Sequence, residues 1–430
     1  MIDGNSKQRL GFWSIVLFGI NGIIGSGIFL LPSAPMKLIG VGSVFALLLD
    51  AFLVATIALC FAQDANYFDK NGGPYLYAKE AFGNFIGYEV GVVTWAIRII
   101  AEATVAVGFA TILGAFFPNL SSSLARSAVI ALLLIALALM NIAGVQLTKI
   151  INNIVTISKL IPLVLFISIG LFFLKGNNFV PFFPHGQYAS GSFGQAALTM
   201  FFAFTGFEGI SVAAGEMTNP KKNLPRAIMI IVATVTLVYV LIQLTAIGIM
   251  GYRLADSATP IMDAFAEVTG TFGKDLIAAG SLISIGGLLV ASSFITPRSG
   301  LALAENKMMP QVIARKNSKN APYVAIIIST SISLIIALFN STFANLALIS
   351  AISRFAQYIP TIIAVFVFSK TKKTQKTTFQ IPFGPAIPLL ALVVSIWLLV
   401  QTNIQQLVWG LGALVIAVPF YFFTAYRNQS

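Results

Sequence analysis

Apolar residues fill this chain in long runs rather than alternating with polar ones. Runs of about 20 residues recur along its whole length, and as helix each is long enough to cross a hydrocarbon core of roughly 30 Å. Twelve spans are read, near residues 11–31, 42–63, 83–116, 124–142, 150–174, 193–215, 226–250, 274–304, 323–340, 344–368, 385–402 and 405–426. The connections are short, the longest lying near 64–82, 175–192, 251–273 and 305–322, and no soluble domain fits between spans. The pattern predicts an all-α integral membrane protein of about twelve transmembrane helices.

Two spans are interrupted. The first carries Gly22-Ile23-Ile24-Gly25-Ser26-Gly27-Ile28-Phe29 in its middle. Each glycine costs about 1 kcal/mol in a helix interior, so three within six residues predict a helix that stops and restarts inside the membrane. Irregular backbone at that depth is tolerated where it is buried in protein or lines a wet cavity. A restarting helix offers free N–H groups that suit a carboxylate. The carbonyls on the other side of the break suit an ammonium. One broken helix thus offers both poles that an amino acid zwitterion needs. Close packing of small residues is the competing account of these glycines. The second interruption, Phe201-Phe202-Ala203-Phe204-Thr205-Gly206-Phe207-Glu208-Gly209, lies in the sixth span and adds a carboxylate. Paired discontinuous helices in corresponding positions mark a transporter binding site and predict an inverted repeat. The expected organisation is an N-terminal segment 1–10, a first five-helix repeat over 11–174, a second over 193–368, and two additional helices over 385–426. Helices 1 and 6 are the discontinuous ones, in a five-plus-five arrangement.

Composition and charge sharpen this picture. Hydrophobic residues make up 57% of the 430 and charged ones 9%, with a mean hydropathy of +0.90. The single cysteine, Cys60, excludes an internal disulfide and multi-cysteine metal sites. No cleavable signal peptide is expected, because the first apolar run is too long for one. With the N-terminus inside, cytoplasmic segments hold 17 of the 26 basic residues, including Lys70, Lys307, Lys370, Lys372, Lys373 and Lys376. The outer segments hold five, Lys37, Arg126, Lys175, Arg253 and Lys274, and four lie within spans. This asymmetry predicts a cytoplasmic (inner) membrane protein with both termini cytoplasmic. The net charge of +12 then reflects loops facing anionic lipid rather than a nucleic-acid partner.

Three strings resemble the amino acid–polyamine–organocation transporters. They are Gly22 to Pro32, the stretch from Gly206 through Glu216 to Ala227, and Arg298-Ser299-Gly300 running on to Pro310. The resemblance covers nearly the whole chain. It implies the five-plus-five inverted repeat with two extra helices, and amino acids or related amines as substrates. Carried residue by residue, it places the substrate carboxylate on the N–H groups of Ser26 and Gly27, beside Gly25. It places the amino group on the carbonyls of Ile23, Phe202 and Thr205. Arginine and amine exchangers of the family have a tryptophan where this chain has Phe202, which argues against their substrate. Phe207 flanks the same break, and Ser292 and Ser293 are lining candidates on the eighth span.

Ionisable residues inside spans are functional candidates by default. Arg98 and Glu102 are four apart on the third span and share a helix face. They are read either as a buried structural pair or as a side-chain pocket favouring a cationic substrate. Glu208 either carries a proton or accepts hydrogen bonds from unwound backbone. Lys159 lies about midway along the fifth span, before Pro162. Proton-coupled permeases of the resembling family carry a lysine there in place of the ion that sodium-coupled relatives use, so Lys159 is the candidate for proton coupling. Arg298 and Arg354 are read as interface anchors or gate pairs, and His185 receives no role.

The expected function is secondary active transport of amino acids, by proton-coupled symport under alternating access. An amino acid/amine exchanger is the alternative. The partners are the substrate, protons and the lipid bilayer, and no cofactor or metal is expected. A channel would want a repeated filter or pore ring. An enzyme would want a metal cluster or a nucleophile beside a base, and one histidine with one cysteine offers neither. No phosphate-binding Gly-x-x-x-x-Gly-Lys-Ser/Thr loop occurs, which argues against an ATP-driven pump. The identity of the side chain carried stays open.

Overall fold

A computed structural model describes residues 11–68, 73–144, 149–208, 220–339, 342–371 and 379–427. The N-terminal segment 1–10, Lys70, most of the Lys370–Lys376 loop and the Gly209–Asn219 part of the sixth-span string therefore lie outside the described residues. What is described is helical, with no strand. The helices are α1 (Phe12–Ile23), α2 (Ser26–Leu30), α3 (Ser33–Ile39), α4 (Ser43–Ala65), α5 (Gly73–Phe82), α6 (Asn84–Phe116), α7 (Ser123–Ile142), α8 (Lys149–Gly170), α9 (Ser192–Phe201), α10 (Pro220–Met250), α11 (Pro260–Thr269), α12 (Thr271–Glu305), α13 (Tyr323–Phe339), α14 (Phe343–Thr371), α15 (Ala386–Val400) and α16 (Ile404–Arg427).

Among the described residues, seven helical stretches are long and apolar enough to cross a bilayer. Five shorter apolar helices, Phe12–Ile23, Lys159–Phe173, Ser192–Phe204, Tyr323–Phe339 and Ala386–Val400, fall at the expected first, fifth, sixth, ninth and eleventh spans. The first and sixth are short because each is the leading half of an interrupted span. The all-α, multi-span class expected from the apolar pattern is therefore what the chain adopts.

Helix α6 runs through the middle, against α12, α14, α13 and α5. On the other side α10 lies against α4 and α1, and α9 against α3 and α4. The buried faces of α6 and α14 are mostly Ala, Val, Ile and Phe, with a few ionisable and amide groups set among them. The outer helices turn leucine and isoleucine outward, as at Leu132 and Leu139 of α7 and Val415 and Ile416 of α16. Those side chains suit lipid, which is as apolar as they are.

Both predicted interruptions are present. Helix α1 ends at Ile23, Ile24 turns extended (φ −67°, ψ 104°), and Gly25 (φ −140°, ψ −149°) leads into α2. Helix α9 ends at Phe201, a 3-10 turn covers Phe202–Phe204, and Thr205 is extended (φ −70°, ψ 154°). Gly206 then takes φ +111°, a region that disfavours side chains. The breaks touch each other directly. A Cβ on Gly206 would collide with the carbonyl oxygen of Gly22, and one on Gly27 would lie 2.8 Å from Ala203 Cα. The packing account of the glycines thus holds for Gly27, in addition to the break.

Candidate functional site

The two breaks close on one cavity of about 280 Å³. Backbone from Gly22 to Gly27 forms one wall, and Phe202 to Glu208 forms the facing one. Helix α6 contributes Thr94, Arg98 and Val105, α12 contributes Ser292 and Thr296, and α14 contributes Arg354 and Gln357. The polar groups on this wall are placed by three different helices and converge on one cavity, as the polar groups of a ligand site do.

The end of α1 leaves its last carbonyls without intrahelical partners. Each of three finds a side chain. Lys159 Nζ, on α8, donates to Asn21 O at 2.6 Å and to Ile24 O at 2.7 Å. Tyr239 Oη, on α10, donates to Ile23 O at 3.3 Å and to Ala203 O at 2.9 Å, so it ties the two breaks together. The lysine is only 4% exposed. A cation also suits this position because a helix C-terminus carries partial negative charge.

Glu208 is held from three directions. Its Oε1 pairs with Arg354 Nη1. Its Oε2 accepts from Tyr358 Oη at 3.1 Å and from the Gly206 N–H at 3.0 Å. A buried carboxylate needs both a counter-charge and hydrogen bonds to offset its desolvation, and here it has both. The ring of Tyr358 sits beside Phe201, Phe207, Phe355 and Phe61, which keeps this cluster dry on its far side.

This constellation sets backbone and charged side chains of two helix breaks around one cavity. A family model described as amino acid permease matches residues 10–424. The chain belongs to the amino acid permease family. Its curated relatives include an uncharacterized transporter of Mycobacterium tuberculosis, 33% identical over 93% of this chain and 88% of that one. The serine/threonine exchanger SteT of Bacillus subtilis is 30% identical over 100% of this chain and 99% of its own length. The branched-chain amino acid permease BcaP, also of Bacillus subtilis, is 26% identical over 95% of this chain and 92% of its own.

Within this permease the expected site residues are distributed unevenly. Ile23, Gly25, Ser26, Gly27, Phe202, Thr205, Glu208 and Ser292 all line the cavity. Phe207 does not: it is 1% exposed and its ring packs on Phe61 and Tyr358 behind the break. Two of the three carbonyls assigned to an amino group are already engaged, Ile23 O by Tyr239 and Phe202 O by the Thr205 N–H and hydroxyl. Ser293 accepts from Asn141 and donates to Val290 O, and the bonds found for Lys159 go to α1 carbonyls rather than to Ser292 or Ser293.

The charge pairing also differs from expectation. Arg98 and Glu102 form no ion pair. Glu102 does not line the cavity and its Oε2 lies 3.5 Å from Ser333 Oγ, whereas Arg98 lines the cavity. The partner of Glu208 is Arg354, a residue expected near the inner end of its span. Four apart on a helix makes contact possible but does not ensure it. Arg298 folds back over the Phe294 ring at 3.1 Å and donates to Phe294 O, and among the described residues it pairs with no carboxylate. Tyr239 and Tyr358 were not singled out in the sequence, since neither carries a local signal beyond lying in an apolar span.

Proposed function

We propose that the protein is a secondary active transporter of amino acids that works by alternating access, as a proton-coupled symporter. The carrying observation is the cavity enclosed by two facing helix breaks. On this reading the N–H groups of Ser26 and Gly27 receive the substrate carboxylate. The Ser26 hydroxyl, buried and without a partner, adds a donor there. The carbonyl of Thr205, a residue that lines the cavity, leads the groups that receive the amino end.

Lys159 is the proposed coupling group. When protonated it holds the end of α1 through the Asn21 and Ile24 carbonyls. When neutral it holds them less strongly, so the balance between outward-facing and inward-facing states shifts. Glu208 is the second candidate, because it joins the other break to α14. The repeats 11–174 and 193–368, with 385–426 appended, belong to this proposal. So do an inner-membrane location and cytoplasmic termini, supported by the asymmetry of basic residues.

The test is uptake into proteoliposomes under an imposed pH gradient. The wild-type protein should accumulate substrate, and Lys159→Ala should bind substrate in detergent yet respond little to the gradient. Accumulation by Lys159→Ala driven by the proton gradient alone would reduce Lys159 to a strut and move the role to Glu208. Exchange is the second reading, favoured by the full-length 30% identity to an exchanger. Equal counterflow with and without a pH gradient, and no net accumulation, would establish it.

A further inference from the structure

Arg98 has no established task in the arrangement above. It lines the cavity from α6. It appears in no ion pair and donates no hydrogen bond among the described residues, although every other charged group on that wall is engaged. Thr94, one turn earlier on the same face, donates to Val90 O at 2.7 Å and lies 3.3 Å from Gln357 Oε1. Glu208 and Arg354 both act on Arg98 electrostatically. The Glu208 carboxylate is committed to Arg354, Tyr358 and the Gly206 N–H. Glu102, the remaining nearby carboxylate of α6, is turned toward Ser333. The described ionisable lining residues are Arg98, Arg354 and Glu208, so among the described residues the lining carries one positive charge in excess and the Arg98 guanidinium has no partner.

We infer that Arg98 is a specificity-determining residue whose free guanidinium receives the substrate side chain, so the carried amino acids are those whose side chain ends in an oxygen acceptor, carboxylates foremost. This rests on the permease reading of the cavity. A cationic side chain would meet an excess positive charge. An apolar one would strip water from a guanidinium and return no acceptor, which is costly. A carboxylate accepts two parallel N–H bonds from a guanidinium, and a hydroxyl or amide oxygen accepts one.

The test uses the purified full-length protein in detergent, with equilibrium binding of L-glutamate, L-aspartate, L-serine, L-alanine, L-leucine and L-lysine. The tightest of the six should carry a side-chain oxygen. Arg98→Gln should move the preference between that ligand and alanine at least tenfold toward alanine, the scale of one charge-assisted hydrogen bond. Arg98→Lys should restore part of that preference for the acids. Leucine or lysine binding tightest would overturn the inference on the wild-type protein alone, whether or not the variants fold. A uniform loss across all ligands in Arg98→Gln would overturn it too, because that is the mark of a structural residue or of a contact to the common carboxylate. If none of the six saturates the wild-type protein, the permease reading of the cavity fails first and this inference falls with it.

Discussion

Neutralising Arg354 and Glu208 together should destabilise the protein less than the sum of their separate effects. The two side chains are 10% and 16% exposed, so neither charge is well served by solvent. Among the described residues, Arg354→Met leaves the Glu208 carboxylate with the Tyr358 hydroxyl and the Gly206 N–H as its donors. Breaking a buried pair in this way costs about 3–5 kcal/mol. Glu208→Gln keeps an acceptor for Gly206 but leaves the Arg354 guanidinium beside Arg98 with no counter-charge, and a cost in the same range follows. The double variant removes both charges at once. Its cost should fall short of the sum of the single costs by about 1–3 kcal/mol, the coupling typical of contacting residues. The assay is reversible unfolding in mixed micelles across the four proteins of the cycle. Tyr358→Phe serves as an internal scale, since it removes one hydrogen bond to a charged group, about 1.5–3 kcal/mol. Additivity within about 0.5 kcal/mol would refute the reasoning, and would mean that the ion pair is not the structural tie between the second break and α14.

Gly206→Ala should cost roughly 1–3 kcal/mol in the same unfolding assay, because φ +111° is strained for any side chain; wild-type stability with full uptake would show that the two breaks need not meet at Gly22. Topology is checked with single cysteines in a Cys60→Ser background: Lys373→Cys should resist an impermeant thiol reagent added to intact cells and Asn177→Cys should react, and the reverse pattern would invert the orientation.

Much of the fold was legible because membranes simplify the code. A bilayer core demands about 20 apolar residues per crossing helix, and that demand leaves a mark even where packing is unknown. The breaks were legible for a related reason. Three glycines within six residues of a spanning helix are costly, so Gly22, Gly25 and Gly27 needed an explanation, and the close meeting of Gly27 with Ala203 and of Gly206 with Gly22 supplies part of it. Lys159 was legible as a cation far from either interface, and the orphaned carbonyls of α1 are what it finds.

What the sequence could not specify is which buried charge meets which. Arg98 and Glu102 are neighbours on one helix, and proximity along the chain is the only pairing a single sequence displays. The actual pairing is set by how α6, α12 and α14 stack around the cavity, and it joins residues 146 positions apart. The consequence reaches beyond bookkeeping of contacts. A paired Arg98 would be a silent structural residue and Glu208 a free carboxylate able to receive a cationic substrate. With the pairing found, the carboxylate is consumed in fixing the second break to α14, and the guanidinium is the group left facing the cavity. Arg98, Glu102, Glu208 and Arg354 are the same in either pairing, and which of them touch decides whether a carboxylate or a guanidinium is left facing the cavity.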